Sequence, residues 1–410
     1  MTIHGTFAAR VCNTSVENGQ SRIGILVSPI ISQSMTHEIE VYWYNVNFEP
    51  SEKILIMKRD SLQSDPVVIS TTTPNGHSGI QRTRIKTKFL PSSELSFVPR
   101  CVFHIARQTP EGGIKEMDCA RTRPTWMKER QHILGPLRFS QIFLPGTHNS
   151  ASYARENGAE SIFSDFAVNQ NVDIFGQLIH GVRYLDIRVG HYPDTNETWW
   201  TNHGPFYRSV SLKTVAEQVK RFLNNTEEIV IMDIREFPVG FSDISTHRKL
   251  VSYLENEFRD HLSLRNNHGW RVTLNDVWSS GRRLIIGYEN TRIVGERASV
   301  WPCVQHQWGN VRTIADLYKH LDRIERNDSD DRVRPRSAMA QLTANFMDVI
   351  SNRLGNLRDM AYTVNANVTN WYSTLWQYTA NIVAVDFVKG TGIVEAAIKA
   401  NENRHLHCRY

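Results

Sequence analysis

Two kinds of hydrophobic spacing divide the chain. In residues 1–120, short strand-like runs at 37–43, 53–58, 81–89 and 98–106 are separated by turn-rich stretches, and no helical period intervenes. That grammar predicts a small antiparallel β-sandwich. Residues 121–134 are polar and interrupted by Pro124, which marks a linker. From 135 to 410 the pattern changes: runs near 139–147, 181–189, 199–204, 228–235, 283–288, 300–308 and 381–387 are strand-like, with helical periods between them. Leu212, Val215, Val219, Phe222 and Leu223 recur at helix spacing behind a Ser211 cap, as do Leu250, Leu254, Phe258 and Leu262, and Ile314, Leu317, Leu321 and Ile324. Strand alternating with helix implies a parallel sheet. The number of runs fits a closed or nearly closed TIM-like (β/α) barrel, with reacting groups at the strands' carboxyl ends. The predicted fold class is therefore α/β, a barrel preceded by an all-β sandwich.

Polar residues inside the apolar runs carry the chemistry. The 139–143 run leads into Leu144-Pro145-Gly146-Thr147-His148, where Pro and Gly predict a sharp turn that leaves His148 at a strand end. A second run ends at His203 and breaks at Gly204-Pro205. Between them, Arg183-Tyr184-Leu185-Asp186-Ile187-Arg188 puts Asp186 and Arg188 on the face of Tyr184, opposite Leu185 and Ile187. The device recurs as Asp233 and Arg235 in the 228–236 run. Two histidines and a guanidinium supply a base, an acid and a phosphate ligand, the set that cleavage of a phosphodiester beside a hydroxyl requires.

Composition narrows the setting. With 40% hydrophobic and 22% charged residues over 410 positions, the chain is too well mixed to be disordered and long enough for two domains. No run approaches the roughly 20 apolar residues of a spanning helix, and residues 1–10 lack a signal-peptide core, so any membrane contact is expected to be peripheral. A net charge of +5 suits an anionic lipid surface, and nothing points to nucleic acid. Cys12, Cys101, Cys119, Cys303 and Cys408 are odd in number and without CxxC spacing, which argues against zinc and against a complete disulfide framework. A cytoplasmic location with peripheral membrane contact follows. Sequons at Asn13, Asn196, Asn224, Asn327 and Asn367 keep secretion as the alternative.

The motifs 145–150 (Pro-Gly-Thr-His-Asn-Ser), 183–188, 203–205 (His-Gly-Pro) and 229–235 resemble, in words and order, the X domain of phosphatidylinositol-specific phospholipases C. The resemblance covers about residue 130 to the end and leaves the sandwich, and any protein partner of it, unassigned. It implies a phosphoric diester hydrolase cleaving phosphatidylinositol or a related inositol lipid to diacylglycerol and a cyclic inositol phosphate. His148 would be the base on the inositol 2-hydroxyl, His203 the acid on the diacylglycerol oxygen, Arg188 the phosphate clamp with Asp186 beside it, and Asp386 the carboxylate orienting His148. Asn149, Arg235 and Tyr288 are the substrate-binding candidates. Calcium-dependent relatives have acidic residues where Arg188 and Arg235 stand; arginine offers no lone pair to a cation, so no metal and no cofactor are expected. Bacterial relatives have aspartate where Asn149 stands, which implies weaker support for His203 as an acid. Trp199, Trp200, Phe206 and Tyr207 bracket His203 and are candidates for the headgroup layer. A non-catalytic phosphoinositide-binding module, or an adaptor, on the same fold is the alternative.

Overall fold

A computed structural model describes residues 11–12, 21–59, 64–154, 166–327, 333–344 and 355–409. The expectations for residues 1–10 and the 13–15 sequon lie outside them.

Two antiparallel sheets form first. β1 (Val11–Cys12) pairs with Cys408–Arg409, and β2 (Arg22–Val27), β3 (His37–Tyr44), β4 (Lys53–Lys58), β5 (Val67–Thr72), β6 (Gly79–Thr87), β7 (Cys101–Gln108) and β8 (Ile114–Arg121) follow. The sheets have orders β2-β3-β6 and β5-β4-β7-β8. Ile23, Val41 and Trp43 of one meet Ile54, Ile56 and Ile105 of the other, the sandwich core that alternation predicts. Cys101 and Cys119, on neighbouring strands, are joined by a disulfide. Linear spacing cannot show that two strands lie side by side, so the cysteine pattern misled on this point.

The linker is packed rather than loose. Trp126, Met127, Ile133 and Leu134 are buried beneath the barrel. Arg183 holds the segment there: its guanidinium is fully buried, pairs with Glu228 and donates to the carbonyls of Arg123 and Pro124.

The barrel strands are β9 (Leu144–Thr147), β10 (Tyr184–His191), β13 (Val230–Glu236), β14 (Leu284–Tyr288), β15 (Trp301–Pro302), β16 (Gln305–Gln307), β17 (Arg336–Met339) and β18 (Ile382–Val385). They run parallel in the order β15-β14-β13-β10-β9-β18-β17-β16. The 301–307 segment pairs first with β14 and then with β17, so one stretch of chain closes the ring as two short strands. Helices Leu212–Asn225, Ile244–Glu257 and Ile314–Arg326 follow the predicted periods, the first capped by the Ser211 hydroxyl. Leu185, Ile187, Val230, Met232 and Ile234 face these helices, whereas Tyr184, Ile231 and Ile285 fill the barrel.

Two local expectations are corrected. Residues 139–141 form a 3₁₀ turn, and Pro145 and Gly146 lie within β9 instead of breaking it. Gly146 is required there, since a Cβ would stand 2.8 Å from the Tyr184 ring that fills the barrel. His203 does not end a parallel strand: β11 (Trp199–His203) runs antiparallel to β10 and forms a hairpin with β12 (Tyr207–Ser211). The seven residues between β10 and β11 are too few for the crossover of a dozen or more that a parallel connection needs. Among the described residues no helix is long and apolar enough to cross a membrane.

Candidate active site

His148 leaves β9 directly at the barrel mouth. Its Nδ1 lies 2.8 Å from Asp386 Oδ1, just past β18, and its Nε2 lies 3.0 Å from Arg188 Nη2. A guanidinium only donates, so Nε2 accepts and the proton sits on Nδ1, facing the carboxylate. Asp386 is itself held by the Asn169 amide at 2.9 Å. The imidazole is thus fixed in one tautomer, its basic nitrogen toward the cavity.

His203 enters from the β11–β12 hairpin. Its Nδ1 donates to the Ala167 carbonyl at 2.9 Å, which leaves Nε2 as the other proton-handling atom. Burial, reinforced by the Arg188 charge, pushes this imidazole down to about 4. Arg188 lines the same cavity as both histidines, 3.6 Å from Asp186 and 3.4 Å from Glu236. Burial alone would raise the Asp186 carboxyl, yet Arg188, His148 and His306 hold it down to about 2. Asp186 Oδ2 accepts the Asn149 backbone N–H at 2.9 Å, which ties β10 to the turn after His148.

His148, Asn169, Arg188, His203, Glu236, His306 and Asp386 line a cavity of about 330 Å³, walled on one side by Trp308, Leu342 and Leu357. Asp186 lies buried beneath it. The remaining candidates are set apart. Arg235 donates to Asp233 at 3.1 Å and to the Val304 carbonyl at 2.6 Å, a structural tie behind the wall. Asn149 is buried in the left-handed region (φ 41°), which asparagine tolerates, and its amide donates to Asn169 rather than facing the cavity. Tyr288 points outward: Gly287 is the inward residue, where a Cβ would collide with Asp233, so Tyr288 faces the helices and bonds His247 at 2.9 Å. Trp199, Trp200 and Tyr207 are buried, which removes them from any lipid contact, whereas Phe206 is 98% exposed.

Three lining residues escaped the sequence reading. His306 shares the inward face with Val304, a signal present in the 300–308 alternation. Burial pushes it down to about 4, and its Nε2 has no protein partner among the described residues. Glu236 ends the Asp233-Arg235 strand, and Asn169 has no local signature at all. Away from the mouth, Cys101, His104 and Cys119 cluster at metal-ligand distance, but the sulfurs are bonded to each other and Arg59 and Arg121 face His104, so the group is no cation site.

The comparisons agree with this geometry. No family model matches the sequence. PI-PLC X domain-containing protein 1 of Homo sapiens is 24% identical over 315 residues, 70% of this chain and 94% of that protein. The variant-surface-glycoprotein phospholipase C of Trypanosoma brucei brucei is 24% identical over 242 residues, 51% of this chain and 62% of that one. The solved phosphatidylinositol-specific phospholipase C from Listeria monocytogenes matches with a TM-score of 0.53 at 21% identity, covering 68% of this chain and 98% of its own. The barrel thus has the fold of the solved bacterial phosphatidylinositol-specific phospholipases C. In sequence, the chain is similar to PI-PLC X domain-containing proteins of Homo sapiens and Mus musculus, each at 24% identity.

Proposed function

We propose that the protein cleaves phosphatidylinositol-type lipids without a metal ion. The observation that carries this reading is that two imidazoles, each with its Nδ1 proton committed to a fixed acceptor, line one cavity together with a guanidinium. His148 Nε2 takes the proton of the inositol 2-hydroxyl, and that oxygen bonds to phosphorus. The bond from phosphorus to the diacylglycerol oxygen breaks, and His203 Nε2 delivers a proton to the departing oxygen. Arg188 leaves His148 for the non-bridging phosphoryl oxygens, where it replaces the charge a cation would supply. His306 Nε2, on the cavity lining and without a partner among the described residues, suits a ring hydroxyl, which both donates and accepts.

His203 poses the one difficulty, because its low affinity for a proton leaves the acid form scarce at neutral pH. The bound phosphodiester anion opposes the Arg188 charge and draws the proton back, so turnover is slow rather than absent. This same feature supports the binding-module alternative, in which His203 stays neutral and lipid is held uncleaved. His148→Ala and His203→Ala, assayed on phosphatidylinositol, decide between them. Loss of a general acid or base costs about 10²–10⁴ in rate, and wild-type turnover in His203→Ala would overturn the assignment. The Cys101–Cys119 bond supports the secreted location over the cytoplasmic one.

A further inference from the structure

The sandwich touches the barrel at its mouth through the β2–β3 connection. Pro29 lies against Gly390, in the turn just after Asp386, and the Pro29 carbonyl accepts from Arg358 at 2.9 Å. Arg358 follows Leu357, one wall of the cavity. Residues 28–36, Ser-Pro-Ile-Ile-Ser-Gln-Ser-Met-Thr, contain no charged side chain. The loop is held in shape from within: Ser32 and Thr36 bond each other through backbone and hydroxyl, and Met35 takes a left-handed turn conformation (φ 55°) that leaves its side chain 67% exposed. Ile30 and Ile31 are half-buried.

Charge flanks this uncharged loop. In the β3–β6 register His37 faces Thr87, so Lys86 and Lys88 stand at the base of the loop. Both are exposed, and Lys86 lies 3.3 Å from Glu38. An uncharged loop with a basic base fits a bilayer of anionic phospholipids: Met35, with the half-buried Ile30 and Ile31, enters the headgroup layer and the ammonium groups meet lipid phosphates. Leu357, next to Arg358, and Gly204, two residues before Phe206, both line the cavity.

We propose that the 28–36 loop of the sandwich, flanked by Lys86 and Lys88, is a docking element for an anionic membrane surface and sets the barrel mouth against its lipid. It rests on the inositol-lipid reading for its purpose but can be tested apart from it. The full chain is sedimented with vesicles of phosphatidylcholine alone, or with one-fifth phosphatidylserine, both free of inositol lipid, so that no cleavage enters the readout. The wild type is expected to partition more strongly onto the anionic vesicles. Met35→Ser with Ile31→Ser should weaken that partition about tenfold, because less apolar area leaves water. Lys88→Glu should abolish the preference for phosphatidylserine, and Met35→Leu should bind as wild type. Thermal melting of each variant separates loss of fold from loss of docking. Unchanged partition of a folded Ile31→Ser/Met35→Ser variant would overturn the proposal, as would equal binding of the wild type to both vesicles.

Discussion

The tripeptide Asp-Ile-Arg occurs on two adjacent parallel strands, at Asp186–Arg188 on β10 and Asp233–Arg235 on β13, and the two copies have different fates. Asp186 pairs in register with Asp233 and Ile187 with Ile234, but the register then slips, so that Arg188 lies opposite Glu236. Past that slip Arg188 reaches the cavity and both histidines are its neighbours. Arg235 turns back instead: its Nη1 donates to Asp233, 0% exposed, and to the Val304 carbonyl, its Nη2 lies 3.4 Å from Glu289, and Asp233 is itself filled by Tyr184 and the Val304 N–H. The same three residues therefore give a cavity-facing cation in one strand and a barrel strut in the next. The surroundings decide, not the motif.

The largest expected effect breaks the first copy. Arg188→Ala should lower kcat/KM on a soluble inositol phosphodiester by about 10²–10³, the range seen when a preorganised donor facing the transition state is lost. Tm should fall as well, because buried Asp186 loses the guanidinium that holds its charge. Arg235→Gln should cost stability without the loss of rate, since removing one partner of a buried pair costs about 3–5 kcal/mol. A lowered Tm with most of kcat retained is the outcome for this variant, and a collapse of kcat in a folded protein would make Arg235 a substrate ligand after all.

A smaller effect sits behind His148. Asp386→Asn keeps the shape but loses the charge that orients the ring, and should cost about 10–100-fold in kcat/KM. The pH profile then sharpens the role of His203. Its proton is lost above about 4 in the free protein, so the acid form grows as pH falls, and kcat/KM should rise from pH 8 to pH 6. A His203→Ala profile without that rise assigns the limb to His203, whereas the same rise in the variant would place it elsewhere. The mildest test is Phe206→Ser, which should reduce cleavage of vesicle lipid more than of a short-chain soluble substrate. Equal losses would mean that Phe206 shapes the site.

Much of this was legible in the sequence because alternation in a buried strand leaves so few places for charge. Asp186, Arg188, Asp233 and Arg235 had to face inward once Leu185, Ile187, Met232 and Ile234 faced the helices. The Ser211 cap and the amphipathic helix behind it were equally plain. What stayed hidden depends on contacts distant in sequence. β17, Arg336–Met339, has no apolar alternation and is a strand only because β16 and β18 hold it. Tyr288 looked like a mouth residue until Gly287 took the inward place, forced by the Asp233 carboxylate. Asn169 acquires its importance from Asp386, over two hundred residues away. The Cys101–Cys119 pairing needed the β7–β8 register.

The central claim is that Arg188 and two histidines suffice for the chemistry. Phosphorus NMR of phosphatidylinositol incubated with the full chain in excess chelator tests it most directly. The account predicts a cyclic inositol phosphate signal that grows with the wild type, is unaffected by chelator and is missing for Arg188→Ala. Cleavage that appears only when calcium is added, or persists undiminished in Arg188→Ala, would contradict it.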